Sequence, residues 1–381
     1  VKVMILTQTM TGGGGSEKVM ANLTVALHDR FEFIIVTPDL VSRDDHAFPY
    51  MGKLIQADMK WNEPAGNILE RLVKLAHRAA RLRRIILQEG PDIVLSNFTY
   101  MWHAAVCMLK LLGLIRAKVV LRFANPVSLD LNQRGRTYRL MTWLAVRVAD
   151  RVIANSQGLT EDVIEFLGVS RRKAGAIPNP IPISKIIAFS EEPVAEGIFK
   201  SEAPVLLSVG RLAAQKNQSV LIRAFARVQP QTGSKLALIG IGPLEQDLRE
   251  LAQRLGLAEH IIFLGWQENP YKFMRRATGL VLSSDYEGFP SALVESMACG
   301  CPVIATDCPY GPAEILEKGK YGLLVPVGDE EALAGAMLHL LTESSMREDL
   351  AKAGQERAQA YNANVCVEKY VNLFAELDSR A

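Results

Sequence analysis

Two carboxylates, Glu287 and Glu295, are separated by seven residues in the run Asp285-Tyr286-Glu287-Gly288-Phe289-Pro290-Ser291-Ala292-Leu293-Val294-Glu295. Glu287 falls on a loop punctuated by Gly and Pro, just after an apolar run that ends at Ser283-Ser284. Ser291 is expected to cap the helix that follows. Glu295 then lies one turn in, leaning back toward the helix start. Carboxylates accept hydrogen bonds from hydroxyl groups, and the free N–H groups and dipole of a helix start hold phosphate. The pair therefore suits a ligand that is both polyhydroxylated and anionic. Either carboxylate alone reads as structural; the two at one helix start do not.

Further upstream, Ser208-Val209-Gly210-Arg211-Leu212 precedes Lys216 and Asn217. An Arg and a Lys five apart at the end of a strand can converge on one anion, the guanidinium as a fork and the ammonium as a point charge. The bland reading is two solvated loop charges; their place after a strand favours anion binding. Gly240-Ile241-Gly242-Pro243 occupies the same place after the next apolar run, and its plain reading is a turn. Near the start, Thr11-Gly12-Gly13-Gly14-Gly15-Ser16-Glu17-Lys18 leads into a helical pattern of Val19, Met20, Leu23, Ala26 and Leu27. Four glycines let the backbone close on a phosphate. The loop has neither the Gly-Lys-Ser/Thr of a Walker motif nor the strict spacing of a dinucleotide fingerprint.

These groups need elements to hold them. Apolar runs at 3–7, 31–37, 54–57, 92–96, 118–123, 151–154 and 174–177 alternate with helical patterns, and the alternation resumes at 205–209, 235–239, 261–264, 280–283, 303–306 and 323–325. Continuous rather than alternating apolar strands are buried on both faces, as in parallel sheets between helix layers. Two such series predict an α/β chain of two doubly wound domains facing across a cleft, with ligands beyond the carboxyl ends of the strands. The proline-dense stretch Pro178-Asn179-Pro180-Ile181-Pro182 marks the joint. The expected boundaries are 1–183, 184–360 and a closing segment 361–381.

The chain has 381 residues, 49% of them hydrophobic and 22% charged, which fits two globular domains and excludes disorder. A net charge of +2 excludes a general nucleic-acid binder. It conceals an asymmetry: residues 1–183 hold 24 basic and 16 acidic side chains, so the front half is suited to something anionic. Five cysteines, at 107, 299, 301, 308 and 366, form no Cys-x-x-Cys or zinc spacing, and a reducing, cytoplasmic setting is expected. The longest apolar stretch, 100–115, is too short to span a bilayer and reads as a buried helix.

Taken together, the motifs resemble the family 4 retaining glycosyltransferases of the GT-B fold, of the bacterial polysaccharide and lipid-linked oligosaccharide type. The matching pieces are Gly14-Gly15-Ser16-Glu17-Lys18, Asn179-Pro180-Ile181, Gly210-Arg211-Leu212 with Lys216-Asn217, Gly240-Ile241-Gly242-Pro243, the Glu287 and Glu295 pair, and Asp307-Cys308-Pro309-Tyr310-Gly311-Pro312. The resemblance implies two Rossmann-like domains and transfer of a sugar from a nucleotide-diphosphate donor, foremost a UDP-hexose or UDP-N-acetylhexosamine, with retention. It implies a glycan or polyprenyl-diphosphate-linked acceptor bound by the first domain. Arg211 and Lys216 would bind the diphosphate and act in catalysis with Glu287, while Glu295 would hold the ribose. Glu287 and the backbone of Gly288, Phe289 and Ser291, with Leu293 beside them, would grip the sugar. Gly14, Gly15 and Gly240 would border the donor, and Trp266 and Gln267 the base. The closing helix would return to the first domain.

Many family members carry a His after the fifth strand, where this chain reads Leu121-Arg122-Phe123-Ala124-Asn125-Pro126. Arg122 or Asn125 would fill that place, with His103 as an alternative and Ser16 on the acceptor side. No Asp-x-Asp occurs, so no metal is expected and the Arg/Lys pair takes that part. A helix over 66–87 carries an apolar stripe (Ile68, Leu72, Leu75, Ala79, Leu82, Ile86) and a basic one (Arg71, Lys74, Arg78, Arg81). A second basic and aromatic group is Arg134, Arg136, Tyr138, Arg139, Trp143 and Arg147. Both suit an anionic membrane surface and a peripheral location on the inner face of the cytoplasmic membrane. The competing readings are a non-hydrolysing nucleotide-sugar 2-epimerase and a non-catalytic relative of the same fold.

Overall fold

The computed structural model describes residues 1–10, 15–38, 48–59, 68–97, 100–195, 197–200 and 202–378. They form two compact units, Val1–Pro180 joined by the C-terminal segment from Ala363, and Ile181–Asn362.

The first unit is built on β1 (Lys2–Leu6), β2 (Glu32–Thr37), β3 (Lys53–Gln56), β4 (Ile93–Asn97), β5 (Lys118–Phe123), β6 (Arg151–Ala154) and β7 (Ala174–Ala176). Their order in the sheet is β3-β2-β1-β4-β5-β6-β7, all parallel. The apolar runs explain the layering. Every residue of β4 is buried, whereas β3, at the sheet edge, is half-buried or exposed throughout. Val3 and Ile5 of β1 face a cluster shared with the helices Gly15–Leu27 and Ala363–Leu377. The second unit repeats the plan with β8 (Val205–Val209), β9 (Lys235–Ile239), β10 (Ile261–Gly265), β11 (Gly279–Leu282), β12 (Val303–Thr306) and β13 (Leu323–Val325), in the order β10-β9-β8-β11-β12-β13. In each sheet the chain leaves its first strand in one direction and resumes on the other side. Switch points therefore fall between β1 and β4 and between β8 and β11, where open α/β sheets bind ligands.

The stretch 100–115 forms the helix Tyr100–Leu111, buried along most of its length, but Leu111, Leu112 and Leu114 at its end are exposed. The helix expected over 66–87 spans Ile68–Glu89; positions 66 and 67 and the side chains of Ile68, Arg71 and Leu72 lie outside the described residues. Leu75, Ala79, Leu82 and Ile86 are buried as the apolar stripe requires. The basic stripe is corrected. Arg78 is 7% exposed, and Lys74 and Arg81 are half-buried. A flank only one residue's turn from the packed face lies too close to it to stay in water, and a long aliphatic stem is readily covered there.

Candidate functional site

In the second unit β8 and β11 are neighbours, so their exit loops run side by side. Several hydrogen bonds stitch them together. Ser283 Oγ donates to the Lys216 carbonyl at 2.8 Å, the Asp285 amide to the Gln215 carbonyl at 2.9 Å, and Gln215 Nε2 to the Tyr286 carbonyl at 2.8 Å. Asn217, held in the left-handed region at φ 43°, donates from Nδ2 to Asp285 Oδ1 at 2.7 Å. This stitching brings Lys216 and Glu287 together across 71 residues of sequence. Lys216 Nζ lies 2.5 Å from Glu287 Oε1, and Ser284 Oγ donates to the same oxygen at 2.6 Å. The Glu287 side chain is 7% exposed and that of Lys216 21%. Enclosure strengthens this charge-assisted bond relative to a surface pair. Lys216 is thus not a lone cation beside Arg211. Arg211 is exposed and makes no ion pair among the described residues.

Neighbouring loops brace the pair. The Glu287 amide donates to the Pro309 carbonyl at 2.7 Å and the Tyr310 amide to the Glu287 carbonyl at 2.6 Å, tying the β11 exit to the β12 exit. Thr306 Oγ1 donates to the Ser284 carbonyl at 2.5 Å. Gly240 and Gly242 after β9 press against the backbone of the Arg211 loop. A Cβ on Gly240, whose φ is +137°, would sit 2.0 Å from the Gly210 oxygen, and one on Gly242 would sit 2.2 Å from the Leu212 oxygen. Close backbone packing therefore accounts for the Gly-x-Gly. Cys308 is buried, and burial followed by the charge of Glu287 pushes its thiol up to about 12, so it stays protonated and inert.

Glu295 is 5% exposed in the helix Ser291–Ala298. That helix starts differently from expectation. Pro290 holds the N-cap position, Ser291 is the first helical residue, and no side chain caps the helix. Proline fixes the local φ and displaces the cap by one position. The Phe289 ring packs edge-on against Tyr361, with centroids 5.2 Å apart, and Leu293 is wholly buried. Both side chains belong to the core, so contact with a ligand from either would have to come from backbone. Gly288 lies between Glu287 and this helix start. After β10, Trp266 is half-buried and Gln267 Nε2 donates to the Leu264 carbonyl at 2.8 Å.

In the first unit, the corresponding residues converge on Arg122, near the carboxyl end of β5. The residue is 1% exposed. Nη1 donates to Asn97 Oδ1 at 2.7 Å and to Ser16 Oγ at 3.4 Å, and Nη2 donates to Asn179 Oδ1 at 2.7 Å. Arg122 is therefore corrected from a ligand contact to a buried cation that gathers Ser16, Asn97 and Asn179. Glu17 is buried nearby. Burial raises its pKa, opposed by its own backbone hydrogen bond and by the charge of Arg122. His103 is also corrected. It is wholly buried, its Nδ1 lies 2.7 Å from Ser96 Oγ, and burial pushes its pKa down to about 3. It is a neutral core histidine. Asn125 is half-buried just beyond β5, and Gly15 is exposed at the start of the helix Gly15–Leu27. Gly14 and the loop before it lie outside the described residues. Ser284, Asn97 and the Asn217–Asp285 link escaped the sequence reading; the one signal was their place at strand ends.

Two family models match the chain: "Glycosyltransferase Family 4" over residues 13–185 and "Glycosyl transferases group 1" over residues 190–357. The chain is 28% identical over 357 residues to the N-acetylgalactosamine-N,N'-diacetylbacillosaminyl-diphospho-undecaprenol 4-alpha-N-acetylgalactosaminyltransferase of Campylobacter jejuni, covering 92% of this chain and 93% of that one. It is 24% identical to the lipopolysaccharide 1,6-galactosyltransferase of Salmonella typhimurium, covering 90% of each. Among solved structures, Anabaena HepE in complex with UDP-glucose shares the fold, with a TM-score of 0.75 and 23% identity over 98% of this chain and 99% of that one.

Proposed function

Because the chain belongs to the family 4 glycosyltransferases, we propose that it moves an N-acetylhexosamine from a UDP-activated donor to a polyprenyl-diphosphate-linked glycan, with retention at the anomeric carbon. The observation that carries this reading is the Lys216–Glu287–Ser284 unit beside the exposed Arg211 at the β8/β11 switch point. The choice of sugar and acceptor follows the Campylobacter relative, whose name specifies an N-acetylgalactosaminyl transfer onto a diphospho-undecaprenol-linked sugar.

The chemistry follows from charge. As the anomeric C–O bond breaks, negative charge grows on the leaving diphosphate. Cations aimed at that charge bind the transition state more strongly than the ground state. Arg211 supplies an exposed guanidinium. Lys216 supplies an ammonium whose other partner, Glu287, accepts from the sugar hydroxyls. Glu295 holds the ribose. The leaving phosphate oxygen takes the acceptor proton on the same face. The two cations do the work that a divalent ion does in Asp-x-Asp enzymes, so turnover is expected to persist in EDTA.

The test is turnover with UDP-N-acetylgalactosamine, UDP-galactose and UDP-glucose, using a polyprenyl-diphosphate glycan as acceptor. Arg211→Ala and Lys216→Ala should each lower kcat at least 100-fold, or about 3 kcal/mol, the scale of an oxyanion donor. UDP should raise the melting temperature more than GDP or ADP does, since a ligand at 100 times its Kd adds about 2.7 kcal/mol. Unchanged turnover in both variants removes the assignment.

A further inference from the structure

β5 leads through a short exit, residues 124–126, into the helix Val127–Arg134. Pro126 holds the N-cap position of that helix, and no side chain at its own start caps it. The cap comes from another helix. Asp162, in the helix Gln157–Leu167, accepts through Oδ2 from the Val127 amide at 2.6 Å and the Ser128 amide at 3.1 Å. Asp162 is buried, and its carboxylate stands where the free N–H groups and dipole of a helix start favour a negative charge. On the other side of the exit, Asn155, just past β6, donates from Nδ2 to the Ala124 carbonyl at 3.4 Å. Both clamps rise from one rigid base. Ser156 caps the helix Gln157–Leu167 by accepting from the Leu159 amide at 3.2 Å, and Leu159 and Val163 are wholly buried. Asn155 is itself buried, and its Oδ1 has no hydrogen-bond partner among the described residues. An unpaired buried acceptor lowers stability, so packing alone does not explain an asparagine at this place.

Between the two clamped points stands Asn125. It is half-buried, and its side-chain amide makes no hydrogen bond among the described residues. We infer that Asn155 and Asp162 are positioning residues for the transfer step: they fix the β5 exit at both ends, so that the Asn125 amide is held for a hydroxyl of the acceptor. An amide carries donors and an acceptor on one planar group, so it can both give to and take from a single hydroxyl. Such a contact is useful only when it is fixed closely, since a misplacement of about 1 Å costs on the order of 100-fold in rate. A three-residue exit gains that precision from the helix Gln157–Leu167 rather than from its own sequence. The inference rests on the acceptor proposed above. The donor groups Arg211, Lys216, Glu287 and Glu295 belong to the second unit, whereas Asn125, Asn155 and Asp162 belong to the first. Donor binding and acceptor positioning can therefore be measured apart.

The experiment is steady-state transfer by the full chain, well below its melting temperature, in a double-mutant cycle. The donor is UDP-N-acetylgalactosamine, and the acceptor is an undecaprenyl-diphosphate-linked glycan ending in N-acetylgalactosamine, of the kind named for the Campylobacter relative. Asp162→Ala and Asn125→Ala should each lower kcat/KM for the acceptor by about 30-fold or more, and Asn155→Ala by about tenfold, with the donor KM and the UDP-induced melting shift unchanged. N125A/D162A should lose no more than N125A alone, because the carboxylate acts through the asparagine. Asp162→Asn keeps the shape and one acceptor oxygen. It should fold like wild type and fall between wild type and Asp162→Ala, and it decides the matter if the alanine variant does not fold. Additive losses in N125A/D162A overturn the proposal, as do variants that melt lower yet transfer like wild type, since the clamps would then serve stability alone. A raised donor KM in the Asp162 variants overturns it too. A wild type whose melting rises with UDP but which transfers to no such acceptor overturns the acceptor reading and this inference with it; an active wild type with equally active variants overturns this inference alone.

Discussion

Glu287 Oε1 accepts from both Lys216 Nζ and Ser284 Oγ, so the hydroxyl fixes the carboxylate while leaving the ammonium able to serve a second anion. With Ser284→Ala, Lys216 alone must hold Glu287. We expect kcat to fall about tenfold with the donor KM little changed, and stability to fall by about 1–2 kcal/mol for the lost buried hydrogen bond. A variant with wild-type kcat would show that Ser284 only packs. This contact is invisible in a sequence, where Ser284 is one of two serines after an apolar run. His103, offered by the resemblance as an alternative on the sugar side, instead packs inside the apolar helix Tyr100–Leu111. It also sets a pH dependence. The native pKa is about 3 against about 6.5 unfolded, so between those values the unfolded chain binds a proton that the native chain does not. Stability is fully present above pH 6.5 and is lost as pH falls toward 3, by about 2 kcal/mol at pH 5. His103→Gln should flatten the urea-midpoint difference between pH 5 and pH 8; an unchanged difference would assign the slope to other groups.

Strands were read well because those buried on both faces carry unbroken apolar runs, as in Val205–Val209 and Lys235–Ile239. Pairings between loops were not, because they depend on which strands become neighbours. Lys216 and Glu287 meet because β8 lies beside β11, while the chain between them builds β9 and β10. The basic flank of the helix Ile68–Glu89 was misread because periodicity gives the direction of a side chain but not how far the neighbouring packing extends. The Gly-x-Gly after β9 reads in sequence as a turn, and its packing adds what no spacing could give, support for the Arg211 loop. Gly240→Ala combines a positive φ with a Cβ 2.0 Å from the Gly210 oxygen, so the β8 exit must shift. We expect a loss of about 2–4 kcal/mol in stability and a marked fall in the UDP-induced melting shift. An alanine variant with wild-type melting behaviour would show that the two loops can part at little cost.

At the scale of the molecule, the first unit is discontinuous. Its sheet begins the chain, and one of the helices covering that sheet is Ala363–Leu377, which follows the whole of the second unit. Tyr370 and Phe374 are wholly buried against the cluster containing Val3 and Ile5, with Val367, Val371, Leu373 and Leu377 beside them. At about 1.5–3 kcal/mol per buried side chain, the helix contributes on the order of 10 kcal/mol before entropy is counted. That is comparable to the net stability of an entire domain. Among the described residues, the second unit, Ile181–Asn362, has apolar clusters of its own that include no residue of this helix. A chain ending at Asn362 should therefore lose the calorimetric transition of the first unit and keep that of the second. Because Arg211, Lys216, Glu287 and Glu295 all lie in the second unit, the surviving transition should still rise with UDP. If the truncated chain instead melts in one transition like the full chain, the helix is dispensable and the two units unfold together; if its remaining transition ignores UDP while that of the full chain responds, donor binding requires residues of the first unit.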